Sequence, residues 1–439
     1  SSPSLVSSPS LVSSPCTPFS SPQTPPSLSS SSSIVHLVPS MDLLVDNSSV
    51  PSNSSSPSSS LLSSISSFLP SPSSPSPSSS PSSLNDSSFS LHSDGCDYFN
   101  SSCLCHTEYQ FYEWRERVLL GLLALPIIAF GLIANLTSVR IFTHRLMSSS
   151  SINWYLAVLS ASDSLILLSS FFVLSLPRVG EFLTVWSFNY VSYSVTPYMY
   201  GMMMAAQTCS VWMTVGVSIH RYIGVCHPYK APNLLPNQRV AYFITCIILF
   251  SCVFNMTRLF EVHVSNVCHR YNIDFELPSL APTLMRLNGL YMKIFFGWAY
   301  TVVMFALPFT LLIVLNTMVL MAVRKSRRMH ALCSTNDDLS KRAERKERQT
   351  SIMLIAVVIL FLICNSLAFL VNIMENFGME SEFFKTLVMF SNFLVIINAS
   401  CNICIYLLFS EKYRLLLHHY VLCECSTQAD LLVNSVIAS

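Results

Sequence analysis

Val211–Tyr229, VWMTVGVSIHRYIGVCHPY, is an apolar run that ends on Arg221-Tyr222 and leaves through a short Val-Cys-His-Pro exit. An arginine inside or at the edge of a membrane span is energetically expensive, so it is rare and usually has a task. The rest of the chain supports the membrane reading. Only 11% of the 439 residues are charged, against roughly 25% in soluble domains, and the mean hydropathy is +0.50. A net charge of +1 gives no reason to expect a nucleic-acid partner. No phosphate-loop, zinc-protease or nucleophile-elbow motif occurs. The 10 glycines are few and scattered, so no enzyme chemistry is supported.

Residues 1–95 are a Ser/Pro tract almost without aromatics. Such a segment buries too little apolar surface to offset chain entropy, so a disordered tail is expected, here bounded at 1–110. It carries the sequons Asn47, Asn53, Asn85 and Asn100, candidate glycosylation sites if this end is outside the cell. No charged stretch followed by an apolar core reads as a signal peptide; Met41 is the first methionine and a candidate initiator.

Seven apolar segments follow, at about 118–143, 152–176, 193–226, 240–259, 293–323, 350–374 and 384–409. Each is near or above the ~20 residues that cross a bilayer. The expectation is an all-α integral membrane protein, a seven-helix bundle over 111–410, followed by a short amphipathic eighth helix and tail at 411–439. The piece 411–420 reads as a helix lying on the membrane surface. Cys423 and Cys425 beyond it are either palmitoylation sites or plain thiols.

Lysine and arginine set the orientation. With the N-terminus outside, eight of the 24 basic residues face outward, and nine of the others crowd between Arg324 and Arg348. This predicts a multi-pass plasma-membrane protein with an extracellular N-terminus and a cytoplasmic C-terminus. Glu181, Glu261, Asp274, Glu276, Glu375, Glu380 and Glu382 then fall on outer loops. They read either as an acidic mouth for a basic ligand or as solvated loop charges.

Asp163 sits in the middle of the second segment, and a carboxylate at that depth needs partners or a cation. Ser210, Asn398 and Asn402 lie at matching depth. The four form either a site for an allosteric Na⁺ or a hydrogen-bonded knot without an ion. No other cofactor is suggested.

These features together resemble the rhodopsin-like G-protein-coupled receptors. The carriers are GLIAN ending in Asn135, LxxxD ending in Asp163, Arg221-Tyr222 with Pro228 seven residues on, LPF at Pro308, and NxxxY at Asn402–Tyr406 before a basic helix. The match covers roughly 115–420. Within that family, QTCSVWMTV, HRYIGVCHPYKA, NMTRLFE, FLICNSLAFLVN and SNFLVIINASCNICIYLLF are most similar to the invertebrate FMRFamide receptors. The resemblance implies an extracellular peptide ligand, a heterotrimeric G protein and surrounding lipid as partners. It also implies signalling by outward movement of the sixth helix. The position at which amine receptors of the family carry a carboxylate is Met203, and the opsin lysine position is Ile396. Both of those ligand classes therefore lose their required chemistry. Candidate ligand-contact residues are Gln207, Tyr300, Asn372, Glu375 and Asn392. For a ligand ending in Arg-Phe-amide, Glu375 or Glu261 is a candidate partner for the guanidinium.

The resemblance also assigns an activation switch of His220, Arg221, Tyr222, Glu347, Asn402 and Tyr406. The family usually places an acid before the arginine; His220 stands there and supplies no stable negative charge. Glu347, at the start of the sixth helix, is the remaining partner for Arg221. Pro228 and Tyr229, with Arg221, are the expected G-protein contacts. Asn365 and Leu367 replace the family's tryptophan and proline in the sixth helix, and Ile403 replaces the seventh-helix proline. Thr196 stands where the family's third-helix cysteine lies, which leaves Cys268 without its usual partner. One of Cys96, Cys103 and Cys105 is expected to bridge it, and sequence does not choose among them. The alternatives are a rhodopsin-like receptor for another peptide or small ligand and, behind it, a polytopic transporter, against which no repeat relates the two halves. The Ser/Pro tract alone admits an adhesion stalk.

Overall fold

The computed structural model describes residues 108–332, 338–379 and 381–422, without the side chains of 326–332, 338–347 and 421–422. The expected tail up to 107, its four sequons, and Cys96, Cys103, Cys105, Cys423 and Cys425 lie outside these residues, as does the Glu347 side chain.

Seven helices are long and apolar enough to cross a membrane: α1 Trp114–Thr143, α2 Ile152–Phe182, α3 Trp186–Cys226, α4 Asn237–Phe260, α5 Gly289–Lys325, α6 Arg348–Asn376 and α7 Glu382–Phe409. A helix is the form an apolar segment takes in lipid, because it satisfies its own backbone groups. Most spans extend several residues beyond the runs read from hydropathy. The extensions are polar or aromatic turns that pack at the ends of the bundle. A short helix α8, Glu411–Leu422, follows. Its Tyr413 is fully buried and its hydroxyl bonds Ser138 Oγ of α1 at 2.7 Å.

α3 is the central post. Of its most apolar window 72% is buried, against 28% for α4 and for α5, which present more surface to lipid. Several spans contain wide π-type turns. Two of them, Phe171–Ser175 and Val302–Ala306, lie just ahead of Pro177 and Pro308. A proline offers no N–H to the carbonyl four residues back. Those carbonyls belong to Val173 and Met304, inside the widened turns, which absorb the lost bond. Gly180 lets α2 and α3 meet closely, since a side chain there would collide with Asn189.

The segment between α4 and α5 folds into an antiparallel hairpin, β1 Val262–Arg270 and β2 Phe275–Pro282, with a bulge between Val264 and Val267. The all-helical expectation does not include this hairpin, whose strands are bulged and show no clean alternation of burial. We call the two ends of the bundle the hairpin end and the Arg221 end.

Candidate functional site

Between the helices, toward the hairpin end, lies a cavity of about 620 Å³ including its open side. Gln207 and Met203 of α3, Tyr300 of α5, Asn372 of α6 and Asn392 of α7 are among its walls. Four residues expected to contact ligand thus face one space, and Met203 occupies the place of the absent carboxylate. Asn372 is hydrogen-bonded to Thr301 of α5. Glu375 does not line the cavity. It is buried one turn above Asn372, and its Oε1 has no hydrogen-bond partner among the described residues.

Above the cavity is a buried charge cluster that the sequence reading did not anticipate. Arg258, at the end of α4, is 1% exposed. Its Nη1 lies 3.3 Å from Glu261, itself fully buried, and its guanidinium stacks over Phe296 at 4.0 Å and Tyr300 at 5.1 Å. Glu261 also accepts the Tyr291 hydroxyl at 2.8 Å and faces Arg286 at 3.7 Å. Arg258 and Arg286 both act electrostatically on Glu375. The buried Tyr200 hydroxyl has no hydrogen-bond partner among the described residues and shares this neighbourhood with Glu375. A buried orphan acceptor beside a buried orphan donor is the kind of exception that calls for an explanation. In the sequence, the sign is an arginine adjoining an apolar run, in NMTRLFE.

The acidic mouth needs correcting. Glu181, Glu261 and Glu375 are buried, and only Asp274, Glu276 and Glu382 of the described set are exposed. A carboxylate at a helix end next to arginines and tyrosines is drawn into their hydrogen bonds, since buried charge persists only when paired. Glu181 shows this. It accepts Tyr109 Oη at 2.5 Å and the Tyr112 backbone N–H at 3.0 Å, with Arg117 at 3.9 Å. Burial pushes the Tyr109 and Tyr112 hydroxyls well above the usual phenol range, so both remain donors.

Deeper in the bundle, Asp163 is fully buried and accepts Ser210 Oγ at 2.8 Å and Asn402 Nδ2 at 2.7 Å. Asn398 is half-buried and makes no hydrogen bond to this group in the described set. Each carboxylate oxygen thus has one protein donor and keeps a further acceptor position.

At the Arg221 end, Arg221 and Tyr222 are half-buried at the last turns of α3. His220 packs edge-on against Tyr155 of α2 with ring centroids 5.9 Å apart, and its Nδ1 has no hydrogen-bond partner among the described residues. Pro228 is exposed and Tyr229 is 97% exposed. Tyr406 is fully buried against Phe142 and Tyr413, away from solvent. Glu347 lies on the helical extension below α6. Cys268 is disulfide-bonded and 2% exposed; its three candidate partners lie outside the described residues.

Comparison with known proteins accords with this geometry. Residues 134–406 match the family described as 7 transmembrane receptor (rhodopsin family). The chain is 32% identical over 289 residues to the FMRFamide receptor of Drosophila melanogaster, covering 65% of this chain and 50% of that protein. It is 30% identical over 328 residues to the probable G-protein coupled receptor frpr-1 of Caenorhabditis elegans, covering 71% and 80% of the two chains. It is 29% identical to the FMRFamide peptide receptor frpr-18 of the same organism, covering 68% of each. The match thus spans about half the length of the Drosophila receptor. The chain belongs to the rhodopsin family of seven-transmembrane receptors, and is a receptor rather than an enzyme.

Proposed function

We propose that this receptor binds an extracellular neuropeptide of the FMRFamide-like, Arg-Phe-amide class and passes the signal to a heterotrimeric G protein. In this reading the hairpin end faces outward and the Arg221 end faces the cytoplasm, which the basic residues between Arg324 and Arg348 support. The carrying observation is the cavity walled by Gln207, Tyr300, Asn372 and Asn392 with Met203 in place of a carboxylate. It suits a ligand that spreads its contacts rather than one held by a single ion pair. Glu375 and Tyr200 above it offer an acceptor and a donor that such a ligand satisfies. Between the two carboxylates first considered for the guanidinium, Glu375 is favoured, because Glu261 is already engaged by Arg258, Arg286 and Tyr291.

In the resting state Arg221 pairs with Glu347 and ties α3 to α6. Ligand binding shifts a two-state equilibrium toward the form in which α6 has moved outward. Arg221 then re-pairs with Tyr222 and Tyr406, and Pro228-Tyr229 docks on the G protein. In the same reading, one of Cys96, Cys103 and Cys105 bridges Cys268, and the tail sequons are glycosylated.

The test is a panel of amidated peptides on cells expressing the full chain, read by Ca²⁺ and cAMP. A response to Arg-Phe-amide peptides that falls with Asn372→Ala supports the reading. Silence to every amidated peptide at normal surface expression overturns the peptide class. Retained response in Glu375→Gln overturns the guanidinium assignment alone.

A further inference from the structure

The residues just before α1 are not a passive linker. Tyr109 and Tyr112 are each only 7% exposed, although they precede the first span. The Tyr109 hydroxyl donates to Glu181 of α2 and lies 3.0 Å from Tyr193 Oη of α3, and Asn189 Nδ2 of α3 donates to it at 3.0 Å. Its ring sits edge-on to Phe111 and Trp186. Its backbone is held by one residue of the hairpin turn. Tyr109 N donates to Asn272 Oδ1 at 2.8 Å, and Asn272 Nδ2 donates back to Tyr109 O at 2.7 Å. Tyr112 takes the Arg178 guanidinium over its ring at 4.2 Å, and Arg178 is tied to Glu116 at 2.9 Å. One tyrosine therefore joins α2, α3 and the hairpin.

Thr196 gives its hydroxyl to Ser192 O of its own helix and makes no hydrogen bond to the hairpin among the described residues. The described hydrogen bonds that bridge from α3 toward the hairpin turn run instead through Asn189, Tyr193 and Tyr109. From Asn189 to Met203 the helix rises about 20 Å, so this knot sits well above the cavity, toward the hairpin end.

We propose that residues 108–113 form a tyrosine-anchored clasp that holds the hairpin down on α3 and limits access to the cavity. The clasp opens by exchanging its hydrogen bonds for water, as a local unfolding that leaves the bundle intact. Tyr109→Phe removes only the hydroxyl and keeps the aromatic packing. Asn272→Ala removes both backbone bonds from the far side.

The experiment uses the purified full chain in lipid nanodiscs and needs no ligand, so the peptide reading can fail without affecting it. Hydrogen exchange is followed in peptides covering 108–113 and 262–282. In parallel, a small water-soluble thiol reagent is applied to a Gln207→Cys reporter, with modification at 207 read by mass spectrometry. In the parent, 108–113 is protected. In Asn272→Ala, exchange in both segments rises about tenfold, as loss of two hydrogen bonds predicts, and the labelling rate at 207 rises by several-fold. Tyr109→Phe moves both readouts in the same direction by a smaller factor. Parent exchange at 108–113 as fast as in an unstructured peptide overturns the clasp. So does an unchanged labelling rate at 207 in both variants once exchange at 108–113 has risen.

Discussion

The two ends of the bundle are held differently. At the hairpin end, most buried charges are paired: Arg258 and Tyr291 with Glu261, Arg178 with Glu116, Glu181 with Tyr109 and Tyr112; Glu375 is the exception. At the Arg221 end, His220, Arg221 and Tyr222 are half-buried and Pro228 and Tyr229 are exposed, although Tyr406 is fully buried. Tyr229 stands almost fully in solvent, and His220 meets its neighbour through ring packing. A shaped binding cavity needs walls that do not move, and buried paired charges have few alternative arrangements. A switch needs two arrangements of similar energy, which shallow and replaceable contacts allow. Under the proposed function, this contrast suits a preformed ligand site at the hairpin end and an output face free to rearrange at the other.

Breaking the hairpin end at its most buried charge has the largest expected effect. Arg258→Met leaves buried Glu261 with only the more distant Arg286 at 3.7 Å and the Tyr291 hydroxyl, and is expected to destabilise the receptor by about 3 kcal/mol. Thermal unfolding of purified receptor reads this loss, and the double variant Arg258→Met/Glu261→Gln recovers part of it. A single-variant loss below about 1 kcal/mol would mean that the cluster behaves as a surface pair and the contrast between the ends fails. Next comes Asp163→Ala, which strands Ser210 and Asn402 midway along the bundle. About 2 kcal/mol is expected from losing two bonds to a carboxylate, with Asp163→Asn intermediate in the same assay.

At the other end, stability changes little and output changes instead. His220→Asp restores an acid beside Arg221. Basal second-messenger output is expected to fall about threefold, the size of a partly exposed ion pair. Equal output from parent and variant at equal surface expression removes this role for His220. Tyr229→Ala is the smallest structural change, within about 0.5 kcal/mol for so exposed a side chain. It is still expected to lower ligand-stimulated G-protein activation. If it shifts unfolding more than Asp163→Ala does, the exposed end is not the looser one.

The seven spans were legible because lipid leaves an apolar run of twenty residues one stable backbone form. Asp163, Ser210 and Asn402 were legible for a related reason: polar groups at that depth must find one another. The clasp was less so. YQFYEW stands out as an aromatic run after an aromatic-poor tail, but nothing local says that Tyr109 meets Glu181, Asn189 and Asn272, which lie 72, 80 and 163 residues away. The burial of Glu181, Glu261 and Glu375 was hidden too, since hydropathy assigns every loop acid to water.

By itself the sequence determined the membrane class, the number of spans and the polar groups that must pair in lipid, because these follow from transfer free energies of short segments. Arg221 was already visible there as a charge with a task. Only the tertiary structure decided which carboxylates are closed off by arginine and tyrosine and which four residues share one cavity. It also decided that Tyr109, ahead of α1, packs against α2, α3 and the hairpin turn. Those outcomes depend on distances between remote segments, which local composition does not encode.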